Sequence, residues 1–133
     1  MNIVLWILQV LLALQFLWHG WLFLAPPPEL LDIMNAAFAP WFRIFIGIAE
    51  LLAAAGLILP SLTRILPWLT PLAAAGLMIV MGSATVYHLA RGEIGNVFYT
   101  AVLFLLVTFV AYMRWKVKPI SPRNSAQPFI LRS

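Results

Sequence analysis

Residues 43–60 read RIFIGIAELLAAAGLILP. This stretch is apolar enough to cross a lipid bilayer, yet it carries one carboxylate, Glu50, near its middle. A carboxylate at that depth costs about 2.5–3.5 kcal/mol on insertion scales, so it is normally buried against partners rather than turned to lipid. Four residues at 4, 3, 4 spacing share one face of the predicted helix: Arg43, Gly47, Glu50 and Ala54. We expect the rest of the chain to cover this face.

The composition is that of an integral membrane protein. Of the 133 residues, 64% are hydrophobic and only 9% are charged, and the mean hydropathy is +1.00. A soluble domain carries roughly 25% charged residues. The net charge of +4 does not indicate a nucleic-acid partner, because the basic residues flank apolar segments, where they orient a membrane protein. The absence of cysteine excludes disulfides, thiolate nucleophiles and iron–sulfur clusters.

Four apolar segments predict four membrane-spanning helices, at residues 3–24, 41–59, 68–90 and 96–113. Because the connections are short, neighbouring helices should be antiparallel, and the predicted fold is an all-α four-helix membrane bundle over residues 1–115. Residues 28–38 form either an interfacial helix or an irregular connector. Residues 116–133 are predicted to be a mostly disordered cytoplasmic tail.

The basic residues predict an orientation. The side that holds both termini carries six of them, against Arg43 and Arg91 on the other side. The positive-inside rule then places both termini in the cytoplasm, which fits a multi-pass protein of a bacterial inner membrane. Four basic residues after the last span are expected to contact anionic lipid headgroups, at about 1 kcal/mol each. They are Arg114, Lys116, Lys118 and Arg123.

Polar side chains within the spans concentrate in the half of the membrane away from the termini. Eight of them form the candidate ligand-binding site: Glu50, Gln15, His19, Arg43, Thr85, His88, Arg91 and Tyr99. Such a cluster in an otherwise apolar bundle predicts an outward-facing polar cavity with Glu50 at its bottom. A quinone-like or lipid-like amphiphile is the expected ligand, and no catalytic or metal-ligating residue is predicted.

Several alternatives stay open. Glu50 could be a protonated structural carboxyl bonded to Gln15. Arg43 and Arg91 could extend to the membrane interface instead of lining a cavity. The two histidines could ligate a haem from opposite helices or join Glu50 at a metal ion, but their different depths weigh against both sites.

The spacing Arg43-x3-Gly47-x2-Glu50-x5-Gly56-x3-Pro60, followed by Leu77-Met78, Ala84 and His88 in the next span, resembles the DoxX-like family of small membrane proteins. The first span differs from the family pattern, because it has Gln15 and His19-Gly20 and lacks the basic residues that often flank this helix. The resemblance implies a four-helix bundle. Some members of the family are similar to membrane subunits of quinone-linked oxidoreductases, and eukaryotic relatives resemble assembly or trafficking factors.

Two functions follow as hypotheses. The first is a small membrane subunit that binds an amphiphile around Glu50, for example as an accessory subunit of a quinone-linked oxidoreductase. The second is a non-catalytic assembly subunit or chaperone, with other membrane subunits or a second copy of the chain as partner. A transporter is a weaker candidate, because four helices of this size would have to oligomerise to form an alternating pathway.

Overall fold

A computed structural model describes residues 2–122 of the chain. The helices are α1 Asn2–Leu24, α2 Pro28–Ala37, α3 Pro40–Thr63, α4 Leu69–Ala90 and α5 Ile94–Tyr112, and a π-helical turn, Met113–Val117, continues α5. The described range contains no β-strand. The four long helices are each long and apolar enough to cross a membrane. The prediction of an all-α four-helix membrane bundle is confirmed.

The four long helices pack in a ring. α3 lies between α1 and α4, α5 packs against α4, and a thinner contact between α5 and α1 closes the bundle. Large buried side chains from every long helix fill the centre, among them Phe16, Leu57, Leu77 and Val107. Many large apolar side chains instead point outward, as a bundle surrounded by lipid requires. We call the end that carries α2 and the α4–α5 connection the α2 end, and the opposite end, which carries Asn2, the terminal end.

α3 extends further than its sequence predicts. The predicted second span stops at residue 59, because proline at position 60 commonly ends a helix, but α3 continues to Thr63 and is capped by Arg64, which is left-handed with φ of 59°. Proline lacks the N–H that would bond the carbonyl four residues earlier, here that of Gly56. The hydroxyl of Thr70 on α4 donates to that carbonyl at 3.0 Å. A neighbouring helix therefore satisfies the group that Pro60 leaves free, as is usual for proline in membrane helices.

Residues 28–37 are helical, so the irregular connector considered for this segment is excluded. Pro28 occupies the first turn, where its fixed φ suits a helix start and its missing N–H costs no bond. No residue of α2 is buried, and α2 packs against the beginning of α3.

α1 and α3 make their closest approach at two glycines. A Cβ on Gly20 would lie 2.9 Å from the carbonyl oxygen of Gly47, and a Cβ on Gly47 would lie 2.8 Å from Cγ of Leu24. Both distances are shorter than ordinary contacts, so side chains here would push the helices apart. Small residues let membrane helices approach in this way. Gly20 directly follows His19, and Gly47 lies three residues before Glu50, so both polar residues are close to this crossing.

Replacing Gly20 by alanine should destabilise the bundle, because the added methyl meets a backbone oxygen that cannot turn away. We expect a loss of about 1–3 kcal/mol, typical of overpacked sites, measured as a lower midpoint of thermal unfolding in detergent. Gly76→Ala on α4 is the matched control, since a Cβ there has no neighbour within 4 Å. Equal midpoints for the two variants would show that the crossing tolerates a side chain.

Candidate functional site

The α2 end contains a cavity of about 580 Å³. Residues of α1, α3, α4 and α5 form its wall, together with Phe38, which follows α2. Most of the wall is apolar. Seven of its residues are phenylalanine or tyrosine: Phe16, Phe23, Phe38, Phe42, Phe45, Tyr87 and Tyr99. Volume and lining are those of a small-molecule site, in which a few polar groups orient a largely apolar ligand.

His19 and Glu50 form the polar centre of this cavity. Nδ1 of His19 lies 2.6 Å from Oε2 of Glu50. Glu50 is fully buried, whereas a quarter of the His19 side chain remains exposed. The second oxygen of Glu50, Oε1, is buried and bonds to no described residue. The imidazole also contacts the ring of Phe23, with ring centroids 4.7 Å apart.

This pair supplies two chemical capacities. A hydrogen bond between imidazole and carboxyl can pass a proton from one group to the other, as in general acid–base sites. Buried polar atoms without a partner are costly and therefore rare in native structures. Oε1 of Glu50 is such an atom, and it is a ready acceptor for a ligand that carries an O–H or N–H group.

His88, Arg91 and Glu93 form a polar rim at the α4–α5 connection. Oε1 of Glu93 lies 3.0 Å from Nδ1 of His88 and 3.2 Å from Nε of Arg91. The guanidinium of Arg91 also lies 5.3 Å from the ring centre of Tyr87, within range of a cation–π contact. His88 and Tyr87 line the cavity, so the carboxylate of Glu93 contacts one wall residue directly and the other through Arg91.

The hydrogen bond from His88 is the main cause that lowers the pKa of Glu93 below its ordinary value of 4.5. Burial works in the opposite direction, and the positive charge of Arg91 adds to the lowering. Ionised Glu93 is therefore the form that this rim favours.

Two further hydrogen bonds connect helices beside the cavity. Gln15 on α1 donates to the hydroxyl of Tyr99 on α5, across the thinnest contact of the ring. Thr85 on α4 donates to the hydroxyl of Thr100 on α5 at 2.9 Å. Both bonds fix the position of α5, which contributes Tyr99 and Thr100 to the wall.

Of the eight residues predicted for the site, Glu50, His19, His88 and Tyr99 lie in the cavity wall. The other four lie outside it: Gln15, Arg43, Thr85 and Arg91. The alternative that paired Glu50 with Gln15 is wrong, because the partner of Glu50 is His19. Arg43 does not extend outward either, since it is 7% exposed and donates to the carbonyl of Phe23. Arg91 is exposed at the rim.

Sequence reasoning missed part of the wall. Asn96 and Thr100 line the cavity from the first turns of α5, at the same end of the bundle as the predicted residues. Their position near the start of the fourth span was a usable signal. The aromatic side chains of the wall carry no such signal, because aromatic residues are equally common on lipid-facing surfaces.

The sequence model of the DoxX-like family matches residues 7–110 of the chain. The chain belongs to the DoxX-like family. The match reaches all four long helices, and together with their apolar character it identifies a multi-pass integral membrane protein. The resemblance noted from the residues around Glu50 is thereby confirmed. No curated protein and no solved structure matches the chain.

Acidification should lower the stability of the DoxX-like bundle, because the polar rim loses the charge of Glu93. A carboxylate with a lowered pKa in the folded state stabilises the protein above its ordinary pKa, and this contribution is lost as the pH falls through the lowered value. The unfolding midpoint, measured from about pH 6 to about pH 3, should therefore fall less steeply for Glu93→Gln than for the wild type. Glu29→Gln removes an exposed carboxylate of α2 and should keep the wild-type slope. If the unfolding midpoint of Glu93→Gln fell with pH as steeply as that of the wild type, the lowered pKa of Glu93 would not contribute to stability and the prediction would be wrong.

Proposed function

We propose that this DoxX-like protein binds a quinone-like amphiphile, with the ring headgroup beside His19 and Glu50 and the apolar tail between the helices. One observation carries the proposal: a fully buried acid with one unbonded oxygen stands next to a histidine inside an aromatic cavity. The volume of about 580 Å³ is sufficient for a ring headgroup with the first part of a tail.

The cavity wall favours a flat, uncharged headgroup over a phospholipid headgroup. None of the described wall residues is an arginine or lysine, and Arg43 and Arg91 lie outside the wall. A phosphate placed here would be a buried anion next to the carboxyl of Glu50, which is unfavourable without a cation. Aromatic side chains, in contrast, pack well against a planar ring.

The residues of the chain would bind and orient such a headgroup by hydrogen bonds. A hydroxyl of the reduced ring would donate to the unbonded Oε1 of Glu50, the only oxygen of that carboxyl without a described partner. As Oε1 accepts that proton, the proton held between Oε2 and Nδ1 of His19 can pass to the imidazole across the 2.6 Å contact, so that the carboxyl gains one proton and releases another. His19 is the more exposed member of the pair, so it is the side on which protons would exchange with water.

We also propose that both termini face the cytoplasm of a bacterial inner membrane, so that the cavity occupies the outer half of the bilayer. The distribution of basic residues supports this orientation, because the terminal end is the more basic one. In such a place the protein would act as an accessory subunit that holds a quinone for a partner oxidoreductase.

Mass spectrometry of an organic extract tests the proposal most directly. Protein purified from native membranes in mild detergent should carry quinone or its reduced quinol, and a short-chain ubiquinol, kept under reducing conditions, should raise the unfolding midpoint of quinone-depleted protein. Glu50→Gln should weaken this binding by up to about tenfold, because one hydrogen bond contributes about 0.5–1.5 kcal/mol.

Glu29→Gln is the matched control, since it removes an exposed carboxylate that does not belong to the cavity wall. It should bind the quinol as the wild type does. An extract without quinone or quinol, combined with no response of the wild type to the added quinol, would overturn the proposal. Stable copurification of another membrane protein in that case would favour the assembly subunit instead.

A further inference from the structure

A second polar cluster lies at the terminal end, where Arg114 is buried. Arg114 is 2% exposed, and it was expected at the lipid headgroups together with the other basic residues that follow the last span; the structure corrects that placement. Its Nε donates to Oε1 of Gln9 at 2.7 Å, and its Nη1 donates to Oδ1 of Asn2 at 2.6 Å and to the carbonyl of Lys118 at 2.9 Å. The guanidinium also lies 5.9 Å from the ring centre of Trp6.

These contacts satisfy hydrogen bonds but leave the charge of Arg114 uncompensated. All three partners are neutral oxygens. Nη2 is buried and has no partner among residues 2–122. The complete chain has four acidic side chains, and all belong to the other half of the bundle: Glu29, Asp32, Glu50 and Glu93. A buried cation without a counter-charge is expensive, and no side chain of this protein can supply that charge at the terminal end.

A cavity of about 220 Å³ adjoins this arginine. Its wall consists of Arg114 and seven largely apolar residues: Pro67, Trp68, Pro71, Trp115, Pro119, Ile120 and Pro122. Nε and Nη1 are engaged elsewhere, and Nη2 is buried without a partner among residues 2–122. The indoles of Trp68 and Trp115 are half exposed, as tryptophans at the level of lipid headgroups are.

Hydrogen bonds from the end of α3 hold the segment after α5, and this segment forms part of the cavity wall. Residues 116–133 are predicted to be a mostly disordered tail, and within this range Pro119, Ile120 and Pro122 line the cavity. Arg64, at the end of α3, donates from Nε to the carbonyl of Ser121 at 2.8 Å and from Nη2 to that of Pro122 at 3.2 Å. Residues 123–133 lie outside the described residues, and with them the headgroup contact expected of Arg123.

The π-helical turn Met113–Val117 places the arginine. A π-helical turn is wider than an α-helical one and often occurs at functional sites. Here it holds Arg114 inside and Trp115 half exposed at the cavity, and the N–H of Lys118 closes it on the carbonyl of Met113 at 2.6 Å.

We propose that this cavity binds a phosphate-type anion, with Nη2 of Arg114 as its buried donor. Guanidinium groups bind phosphate oxygens strongly and with defined geometry. The anion would supply the negative charge that the chain lacks here, and Lys118 and Arg64 would raise its local concentration. The headgroup of an anionic phospholipid and free phosphate share this chemistry. The site stands on its own residues, independent of the quinone proposed at the α2 end.

Delipidated protein in uncharged detergent is titrated with three probes: a short-chain phosphatidylglycerol, inorganic phosphate and an uncharged galactolipid. Apparent affinity is taken from the rise of the unfolding midpoint. Phosphatidylglycerol alone, or phosphatidylglycerol and phosphate together, should stabilise the wild type, and the first pattern identifies a lipid while the second identifies the phosphate group itself. Arg114→Gln should weaken the response at least about tenfold, the loss expected for one charge-assisted contact.

Two further variants keep the test decisive if Arg114→Gln folds poorly. Ile120→Trp should fill the cavity without touching the bonds of Arg114, and it should abolish the response. Lys116→Gln removes a neighbouring exposed charge outside the wall and should respond within about twofold of the wild type. A wild-type response in Ile120→Trp, an equal loss in Lys116→Gln, or equal responses to the anionic lipid and the galactolipid would each overturn the site.

Discussion

The contact between Gly20 and Gly47 determines how closely α1 and α3 can approach, and the buried acid depends on that distance. Glu50 cannot stay in an apolar bundle without a polar partner, and its partner His19 belongs to the other helix, 2.6 Å away. Side chains at the two glycines would meet backbone oxygen or Leu24 at about 3 Å or less. The absence of two side chains therefore allows the hydrogen bond around which the cavity is arranged.

Polar contacts also anchor α1 at its other end. Gln9 is fully buried and donates to the carbonyl of Leu57 at 2.6 Å, while its own oxygen accepts from Arg114. Ser61 and Thr70 continue this network at 2.7 Å between α3 and α4. Apolar packing alone specifies membrane helices weakly, because lipid tails are as apolar as the helix faces. Bonds of this kind at both ends fix which face of α1 turns inward.

The sequence was sufficient for the fold and for the burial of Glu50 against a polar partner, because hydropathy and the cost of a charge in lipid do not depend on tertiary detail. The sequence did not identify which side chains bond to the buried polar residues. Gln15 and His19 differ by one helical turn, which is within the error of estimated helix boundaries, so depth could not decide between them. Arg114 follows an apolar run, as interfacial residues do, and its burial depends on a π-helical turn that has no known sequence signature here. Gln9, a lone amide within an apolar run, was the available clue.

The two cavities differ in charge in a way that follows from the sequence. All four acidic side chains belong to the half of the bundle that contains α2, and the basic residues after α5 belong to the terminal end. The larger cavity therefore offers a carboxyl oxygen and no arginine or lysine among its described wall residues, which suits the uncharged, hydrogen-bond-donating group proposed there. The smaller cavity offers a guanidinium and no acid among its described wall residues, which suits the anion proposed there. The two proposed ligands therefore differ first in charge, an uncharged hydrogen-bond donor at the α2 end and an anion at the terminal end.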